Sequence, residues 1–102
     1  MIRMAIIYNK TEDSAFDLDY YLKTHMPMAA AEFGAFKWDV DKVMSGADGS
    51  DSPIHCIGYL YFESEEKRLA GMTGSTVPKV IGDVPNYYSG GMPVALVSEV
   101  VG

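Results

Sequence analysis

The chain has two histidines, and the first, His25, lies where a predicted helix meets a proline. A neutral imidazole exchanges protons near pH 7, which makes His25 the first candidate for a general acid–base catalyst. The stretch FDLDYYLKTHMP at 16–27 spaces Asp17, Tyr21 and His25 four residues apart, so the three side chains form one row along a helix. A structural interpretation competes, because histidine is also favoured at a helix C-terminus, where it can bond free carbonyls. The sequence leaves both roles open.

The second histidine, His55, directly precedes the single cysteine, Cys56. Adjacent strand residues point to opposite faces, which argues against a Cys–His nucleophile pair. We expect Cys56 to be a buried, inert thiol and His55 to lie at a sheet end or an interface. No CxxC, HxxxH or HExxH spacing occurs, so no metal site and no cofactor are predicted. Haem ligated by either histidine is a third hypothesis that no other sequence feature supports.

Tyrosine occurs seven times in the 102 residues. Most of the aromatic rings are expected in the core, but each buried hydroxyl needs a hydrogen-bond partner. Several rings are therefore predicted to line a cavity between sheet and helices, which suits a flat apolar ligand. The residues assigned to this substrate-binding role are Tyr8, Tyr21, Trp38, Tyr59 and Tyr61.

Hydrophobic periodicity and turn signals predict the order strand, helix, strand, strand, helix, strand. The first helix is expected to begin after an N-cap at Ser14, to run over 15–23 and to break before Pro27, as an end or a kink around residues 24–26, with a restart that ends at Gly34. Ser64 is the predicted N-cap of the second helix, and a further short helix is expected over 75–83. The predicted strands cover residues 1–8, 35–45, 54–64 and 94–101.

This order is typical of an α+β, ferredoxin-like βαββαβ domain that spans residues 1–102, with an antiparallel four-stranded sheet and helices on one face. Alternation in the second strand predicts that Phe36, Trp38 and Val40 share a buried face. The other face of the sheet would be left open, although its strands carry large apolar residues. A homodimer formed face to face is the expected cover.

Composition limits the partners. Eight basic and fourteen acidic residues give a net charge of −6, which argues against nucleic acid and against an anionic membrane surface. No apolar run reaches the roughly 18 residues of a membrane span, and the N-terminus lacks the features of a signal peptide. We expect a soluble, cytoplasmic protein.

Five stretches taken together resemble the EthD family, named after a protein encoded beside an ethyl tert-butyl ether degradation system. They are FDLDYYLKTHMP at 16–27, VDKVMSG at 40–46, GYLYFES at 58–64, GDVPNYYSGGMPV at 82–94 and VSEVV at 97–101. The resemblance implies a ferredoxin-like subunit and a dimeric α/β barrel. It implies no single reaction, because relatives on that fold include cofactor-free monooxygenases, lactone isomerases, polyketide cyclases and haem-handling proteins. The segment AGMTGSTVPKVIG at 70–82 departs from the more helical stretch expected in such proteins.

Two functional hypotheses follow for the same pocket. The first is a small cofactor-independent enzyme that transforms a hydrophobic or aromatic metabolite, with His25 as the general acid or base. The second is a non-catalytic carrier or accessory protein that binds a small apolar ligand and leaves it unchanged. Product analysis of a bound ligand distinguishes the two.

Overall fold

The computed structural model describes all 102 residues, and a four-stranded sheet forms its base. The strands are β1 (Ile2–Asn9), β2 (Lys37–Lys42), β3 (Ile54–Phe62) and β4 (Val94–Glu99). They lie in the order β2-β3-β1-β4, and every neighbouring pair is antiparallel. Helices connect β1 to β2 and β3 to β4. The predicted ferredoxin-like α+β fold is confirmed.

Strand parity divides the side chains of the sheet between two faces. Met4 lies opposite Leu60, which lies opposite Trp38, and this set faces the helices. Residues of the other parity, such as Ala5 and Tyr59, lie on the face without helices, which we call the open face. The buried core is therefore a single layer between the sheet and the helices.

Phe36 corrects one prediction about the second strand. Trp38 and Val40 pack against the core as expected, but Phe36 precedes β2 and is 54% exposed. Its backbone N–H bonds the carbonyl of Tyr61, and its ring lies 6.4 Å from the ring of that residue, which belongs to the open face. The alternation holds only inside the paired strand, because the turn before β2 sets the direction of Phe36.

The first helix begins later than predicted. Its N-cap is Asp17 rather than Ser14, and the Asp17 carboxylate accepts a hydrogen bond from the backbone N–H of Tyr20. Ser14 instead closes a turn, where its hydroxyl bonds the carbonyl of Thr11 and lies 2.8 Å from Nε2 of His55. The Ser14 side chain, which the local sequence pattern assigned to helix capping, thus contacts Thr11 and His55 instead.

The same helix does not break before Pro27. Residues 18–33 are helical throughout, as α1 (Leu18–Tyr20), a π-helical turn (Tyr21–His25) and α2 (Met26–Phe33). The N–H of Met26 bonds the carbonyl five residues back, at Tyr21. This wider turn admits a proline, which has no N–H for the ordinary helical bond. The predicted break is therefore wrong, although the predicted end at Gly34 is confirmed by its left-handed cap conformation.

The second crossover consists of short helices, α3 (Glu65–Met72) and α4 (Val77–Gly82), followed by a 3-10 turn (Val84–Asn86). The hydroxyl of Ser64 accepts a hydrogen bond from the N–H of Lys67, which confirms its capping role. The glycines and the proline of 70–82 account for the interruption between α3 and α4. None of the helices is long and apolar enough to cross a bilayer.

Candidate functional site

His25 is the buried centre of the candidate site. The π-helical turn directs its ring inward, where only 4% of the residue is exposed. Its Nδ1 lies 2.9 Å from Oδ2 of Asp83, and its Nε2 lies 3.1 Å from the hydroxyl of Tyr87. Tyr21, one turn earlier, stacks on the imidazole at 5.4 Å with an angle of 13° between the ring planes. The side chain has no freedom to turn away from these partners.

Asp83 is held by more than His25. The Tyr20 hydroxyl donates to its Oδ1 at 2.7 Å, and the Asn86 amide donates to the same oxygen at 2.9 Å. Burial raises the pKa of Asp83, but the hydrogen bonds from Tyr20, Asn86 and His25 outweigh it and lower the pKa overall. Asp83 is therefore an ionised carboxylate at neutral pH, and it can only accept.

An ionised Asp83 fixes the direction of the whole hydrogen-bond chain. Because the carboxylate accepts, Nδ1 of neutral His25 carries the proton and Nε2 accepts from Tyr87. The Tyr87 hydroxyl has then spent its proton, so the Tyr8 hydroxyl, 2.7 Å away, donates to Tyr87. Asp83, His25, Tyr87 and Tyr8 thus form one continuous relay. The oxygen of Tyr8 ends it.

Burial favours the neutral forms of His25, Tyr8 and Tyr87, the three relay members that carry a proton. It lowers the pKa of His25, against the opposing effect of the Asp83 hydrogen bond. Burial also raises the pKa of Tyr8 to about 12 and raises the pKa of Tyr87. The relay is consequently uncharged at neutral pH except at Asp83, and His25 is its neutral member that can take up a proton at Nε2.

A small cavity lies against the relay, between the helices and the side of the sheet that carries β4. Its volume is about 150 Å³, and eleven of its thirteen lining residues are hydrophobic. Tyr8 and His25 are the lining residues with ionisable side chains, and three methionines, Met4, Met72 and Met92, contribute to the walls. An apolar space of about this size holds a benzene-sized molecule. The groups of the cavity wall that can exchange a proton are thus both members of the relay.

The structure separates the residues that the sequence assigned to one substrate site. His25 and Tyr8 line the cavity. Tyr21 is fully buried behind His25, and its hydroxyl has no hydrogen-bond partner. Trp38 packs on the core from β2 and is not among the lining residues. Tyr59 and Tyr61 lie on the open face, across the sheet from the cavity.

His55 and Cys56 stand apart from the relay. His55 is the extra residue of a bulge between β1 and β3, and its ring stacks on Phe16 at 6.0 Å. Cys56 is a free, buried thiol, and burial raises its pKa to about 12. A thiol with that pKa is a poor nucleophile at neutral pH. No group of three or more histidine, cysteine, aspartate or glutamate side chains is placed to hold a metal ion.

Sequence reasoning missed Asp83, Tyr20 and Tyr87 as members of the site. Asp83 lies in a turn-rich stretch and is 58 positions from His25, so its partner cannot be identified from neighbouring residues. The usable signal was the co-occurrence of HMP at 25–27 and DVPNY at 83–87, because both stretches belong to the set that resembles EthD. The structure brings the two stretches into direct hydrogen-bond contact.

Comparison with solved structures gives full-length matches. An EthD-like protein from Ralstonia eutropha JMP134 superimposes with a TM-score of 0.86 at 32% identity, covering 98% of this chain and 91% of that one. An ethyl tert-butyl ether degradation (EthD) family protein from Bacillus halodurans C-125 gives 0.77 at 17% identity, covering 99% of both chains. HapK from Hahella chejuensis shares the fold, with 0.64 at 14% identity, covering 100% of this chain and 94% of that one. Neither a family model nor a curated protein matches the sequence. With the relay and the fold in place, the 32% identity over nearly the whole length shows that this chain belongs to the EthD-like family.

Proposed function

We propose that the protein binds a small hydrophobic or aromatic molecule in the cavity and transforms it by proton transfer, without a metal cofactor. The observation that carries the proposal is the relay from Asp83 to Tyr8, which reaches the wall of an otherwise apolar cavity. His25 is the proton acceptor, as its neutral form and its carboxylate partner favour. Asp83 is a positioning residue that holds the tautomer.

The proposed step balances without another reactant. A hydroxyl group of the ligand donates to the Tyr8 oxygen and gives up its proton, while the proton of Tyr8 moves to Tyr87 and that of Tyr87 moves to Nε2 of His25. The resulting imidazolium is paired with Asp83, and the ligand becomes an oxyanion. Reversal of the relay returns the proton at another ligand atom, which amounts to an isomerisation. Tyr59, Tyr61 and Trp38 have no part in this step because they lie away from the cavity.

Binding is tested with phenol as the probe and methionine methyl groups as reporters. In protein labelled with ¹³C-methyl methionine, phenol should shift the NMR signals of Met4, Met72 and Met92. Met44, which is 88% exposed and far from the lining, serves as the internal control and should not move. Uniform shifts of all methyl signals, or none, would contradict binding in the cavity.

The acceptor at Tyr8 is tested by comparing phenol with toluene, which has the same shape but no hydroxyl. Wild-type protein should prefer phenol, and Tyr8→Phe should lose that preference, by about tenfold for one hydrogen bond. Tyr61→Phe makes the same change on the open face, where the hydroxyl bonds Asp39 at 2.8 Å, and should keep the preference. Equal preference in all three proteins would remove Tyr8 from the site.

A carrier remains the second candidate, since the same cavity serves both functions. The protein is incubated with a cell metabolite extract, recovered, and its bound molecules are compared by mass spectrometry with those bound to His25→Asn. Catalysis predicts a depleted compound and a new isomer of equal mass with wild-type protein alone. The same unchanged compound on both proteins identifies a carrier.

We also propose a homodimer in which the open faces of two chains meet. Val94 and Leu96 are large and exposed there, beside Ala5 and Ile7 of β1. An apolar sheet face of this kind is usually covered, and a two-fold contact places the same patch on both chains. Light scattering coupled to size exclusion should give twice the 11.2 kDa chain mass, and a monomer at micromolar concentration would contradict the proposal.

A cytoplasmic location completes the proposal. Its support is the single free, buried thiol of Cys56, which is typical of proteins from a reducing compartment. Fractionation of cells that express the protein at its natural level tests it. Recovery outside the cytoplasmic fraction would contradict it.

A further inference from the structure

A second, open recess of about 470 Å³ adjoins the cavity. We call the first the inner cavity and the second the outer recess. Ile81, Val84 and Met92 line both spaces, so these three side chains form the boundary between them. A benzene-sized molecule would occupy the inner cavity, so a longer molecule must extend out of it, and the outer recess is the neighbouring space beyond these three side chains.

The boundary is apolar and adaptable. Ile81 is 44% exposed and Met92 is 63% exposed, although both are large hydrophobic residues. Methionine is unbranched and adjusts to irregular gaps. Met92 also follows Gly91, whose φ of +93° lies in the left-handed region that favours glycine. These features suit a passage that moulds itself around a ligand and buries the exposed side chains against it.

Neither lining offers a permanently charged side chain to a ligand. Neither contains a lysine, arginine, aspartate or glutamate, and the chain as a whole carries a charge of −6. The polar side chains of the outer recess already have partners, since Ser89 accepts from the N–H of Ala15 and Tyr88 donates to the carbonyl of Asn9. A charge on the part of the ligand that lies in the outer recess would therefore have nothing to pair with.

We infer that the inner cavity and the outer recess together bind one elongated, uncharged molecule, with a small hydroxylated head against Tyr8 and an apolar tail that passes between Ile81 and Met92. The inference rests on the proposed function for the position of the head. It adds the length and charge of the substrate, and it assigns Ile81 and Met92 as the residues that select for the tail.

A series of 4-alkylphenols tests the inference: phenol, 4-ethylphenol, 4-butylphenol and 4-hexylphenol. Affinities for wild-type protein are measured by calorimetry, and the methionine methyl signals report the position. Each added methylene that enters an apolar recess should tighten binding about fourfold. The signal of Met92 should move further as the tail grows, and that of Met44 should stay in place.

Two variants narrow the passage from opposite sides, Met92→Trp and Ile81→Trp. The ratio of affinities for 4-hexylphenol and phenol is insensitive to any effect of the substitution on binding of the phenol head, which both ligands share. This ratio should fall at least tenfold in both variants. Met44→Trp adds the same ring at a distant exposed position and should keep the wild-type ratio. Two variants at separate elements guard against the failure of one to fold.

The outcomes separate the inference from the proposed function. If wild-type protein binds phenol in the inner cavity but its affinity does not rise with the length of the alkyl chain, the inference alone is overturned. The inference is also overturned if the ratio of affinities for 4-hexylphenol and phenol stays at its wild-type value in both Met92→Trp and Ile81→Trp, because the tail then binds elsewhere. Failure of phenol itself to bind contradicts the proposed function together with the inference.

Discussion

Tyrosines on the two faces of the sheet have different surroundings, although they come from neighbouring strands. On the helix side, Tyr8 bonds another tyrosine and joins a relay that ends on a buried histidine. On the open face, Tyr61 bonds Asp39 directly, and the guanidinium of Arg3 lies 5.0 Å from the ring centre of Tyr59. A hydroxyl donated to a fixed carboxylate has no onward route for its proton. Whether a tyrosine of this sheet can pass on a proton therefore depends on the face to which its side chain points, and not on its being a tyrosine.

The helix side also has less room for change than the open face. A methyl group added at Gly58 of β3 would lie 2.0 Å from the Tyr21 hydroxyl oxygen and 3.3 Å from the terminal methyl of Met26. Glycine is thus required at the point where Tyr21 meets the sheet. The open-face side chains of the same strand meet no helix at all, so comparable changes there should be tolerated.

The largest expected effect comes from a substitution on the helix side of the sheet. Gly58→Val should destabilise the fold by about 3 kcal/mol, because the new side chain overlaps Tyr21 in a closed core. Ile57→Val, the neighbouring position on the open face, should cost less than 1 kcal/mol. Both free energies of unfolding are measured by urea denaturation. Equal costs at the two positions would mean that the helix side is not tightly packed.

A double mutant locates the cause of that effect. Tyr21→Phe removes a buried hydroxyl without a partner and should leave stability equal or higher. Gly58→Ala should destabilise the wild type, but it should cost at least 1 kcal/mol less in the Tyr21→Phe background, since the closest contact is gone. Additive costs would place the strain elsewhere.

A second prediction concerns the carboxylates on the two sides. Asp83→Asn should cost about 2 kcal/mol, because it removes charge-assisted hydrogen bonds from Tyr20 and His25. It should also lower the pKa of His25 further, since the Asp83 bond raises that pKa. Asp39→Asn, the open-face counterpart, should cost less than 1 kcal/mol and leave His25 unchanged. Nitrogen-15 NMR of the imidazole reports the tautomer and the pKa, and an unchanged His25 spectrum in Asp83→Asn would contradict the relay.

A third prediction sharpens the role of the open face. Leu96→Ser should weaken the proposed dimer about tenfold, since it removes apolar surface from both copies of the contact. Sedimentation equilibrium measures the dissociation constant. The methionine methyl signals around the inner cavity should not change. A dimer of wild-type strength would show that Leu96 lies outside the contact.

The smallest expected effect is a dependence of stability on pH. The folded-state pKa of His25 is lowered from 6.5 by burial, so the unfolded chain binds protons more readily over that range. Stability is therefore full above pH 6.5 and falls as the pH drops from 6.5 toward the folded-state pKa. His25→Asn should flatten this part of the thermal melting profile. His55→Asn should flatten it less, because the lowered pKa of His55 belongs to a less buried ring. An unchanged slope in His25→Asn would contradict the burial of a neutral imidazole.

Much of the fold could be predicted because it depends on local pattern. The positions of β1 and β3 and the cap at Ser64 follow from neighbouring residues, and the structure agrees with both. Ser14 and Phe36 could not be placed, because distant partners decide them: His55 for the serine and Tyr61 for the backbone of the phenylalanine.

The site was predicted only in part for a similar reason. His25 stood out by its position before Pro27, but its carboxylate and its tyrosine partner come from a segment beyond the fourth helix. Nothing local to Asp83 distinguishes a relay member from a turn residue. The continuous helix through Pro27 likewise depends on the burial of Tyr21 and His25, which local rules for proline do not include.

The π-helical turn makes the site sensitive to the length of the gene as well as to its sequence. Relative to a regular helix, the turn contains one extra residue, and each residue of an α-helix advances the chain by about 100° around its axis. Deletion of one codon between Tyr21 and His25 would restore regular winding while the strands kept their register. The side chains within the turn, His25 included, would then take new directions relative to Asp83 without any change at either position. One in-frame codon would thus change the geometry of the relay while the sheet kept its fold.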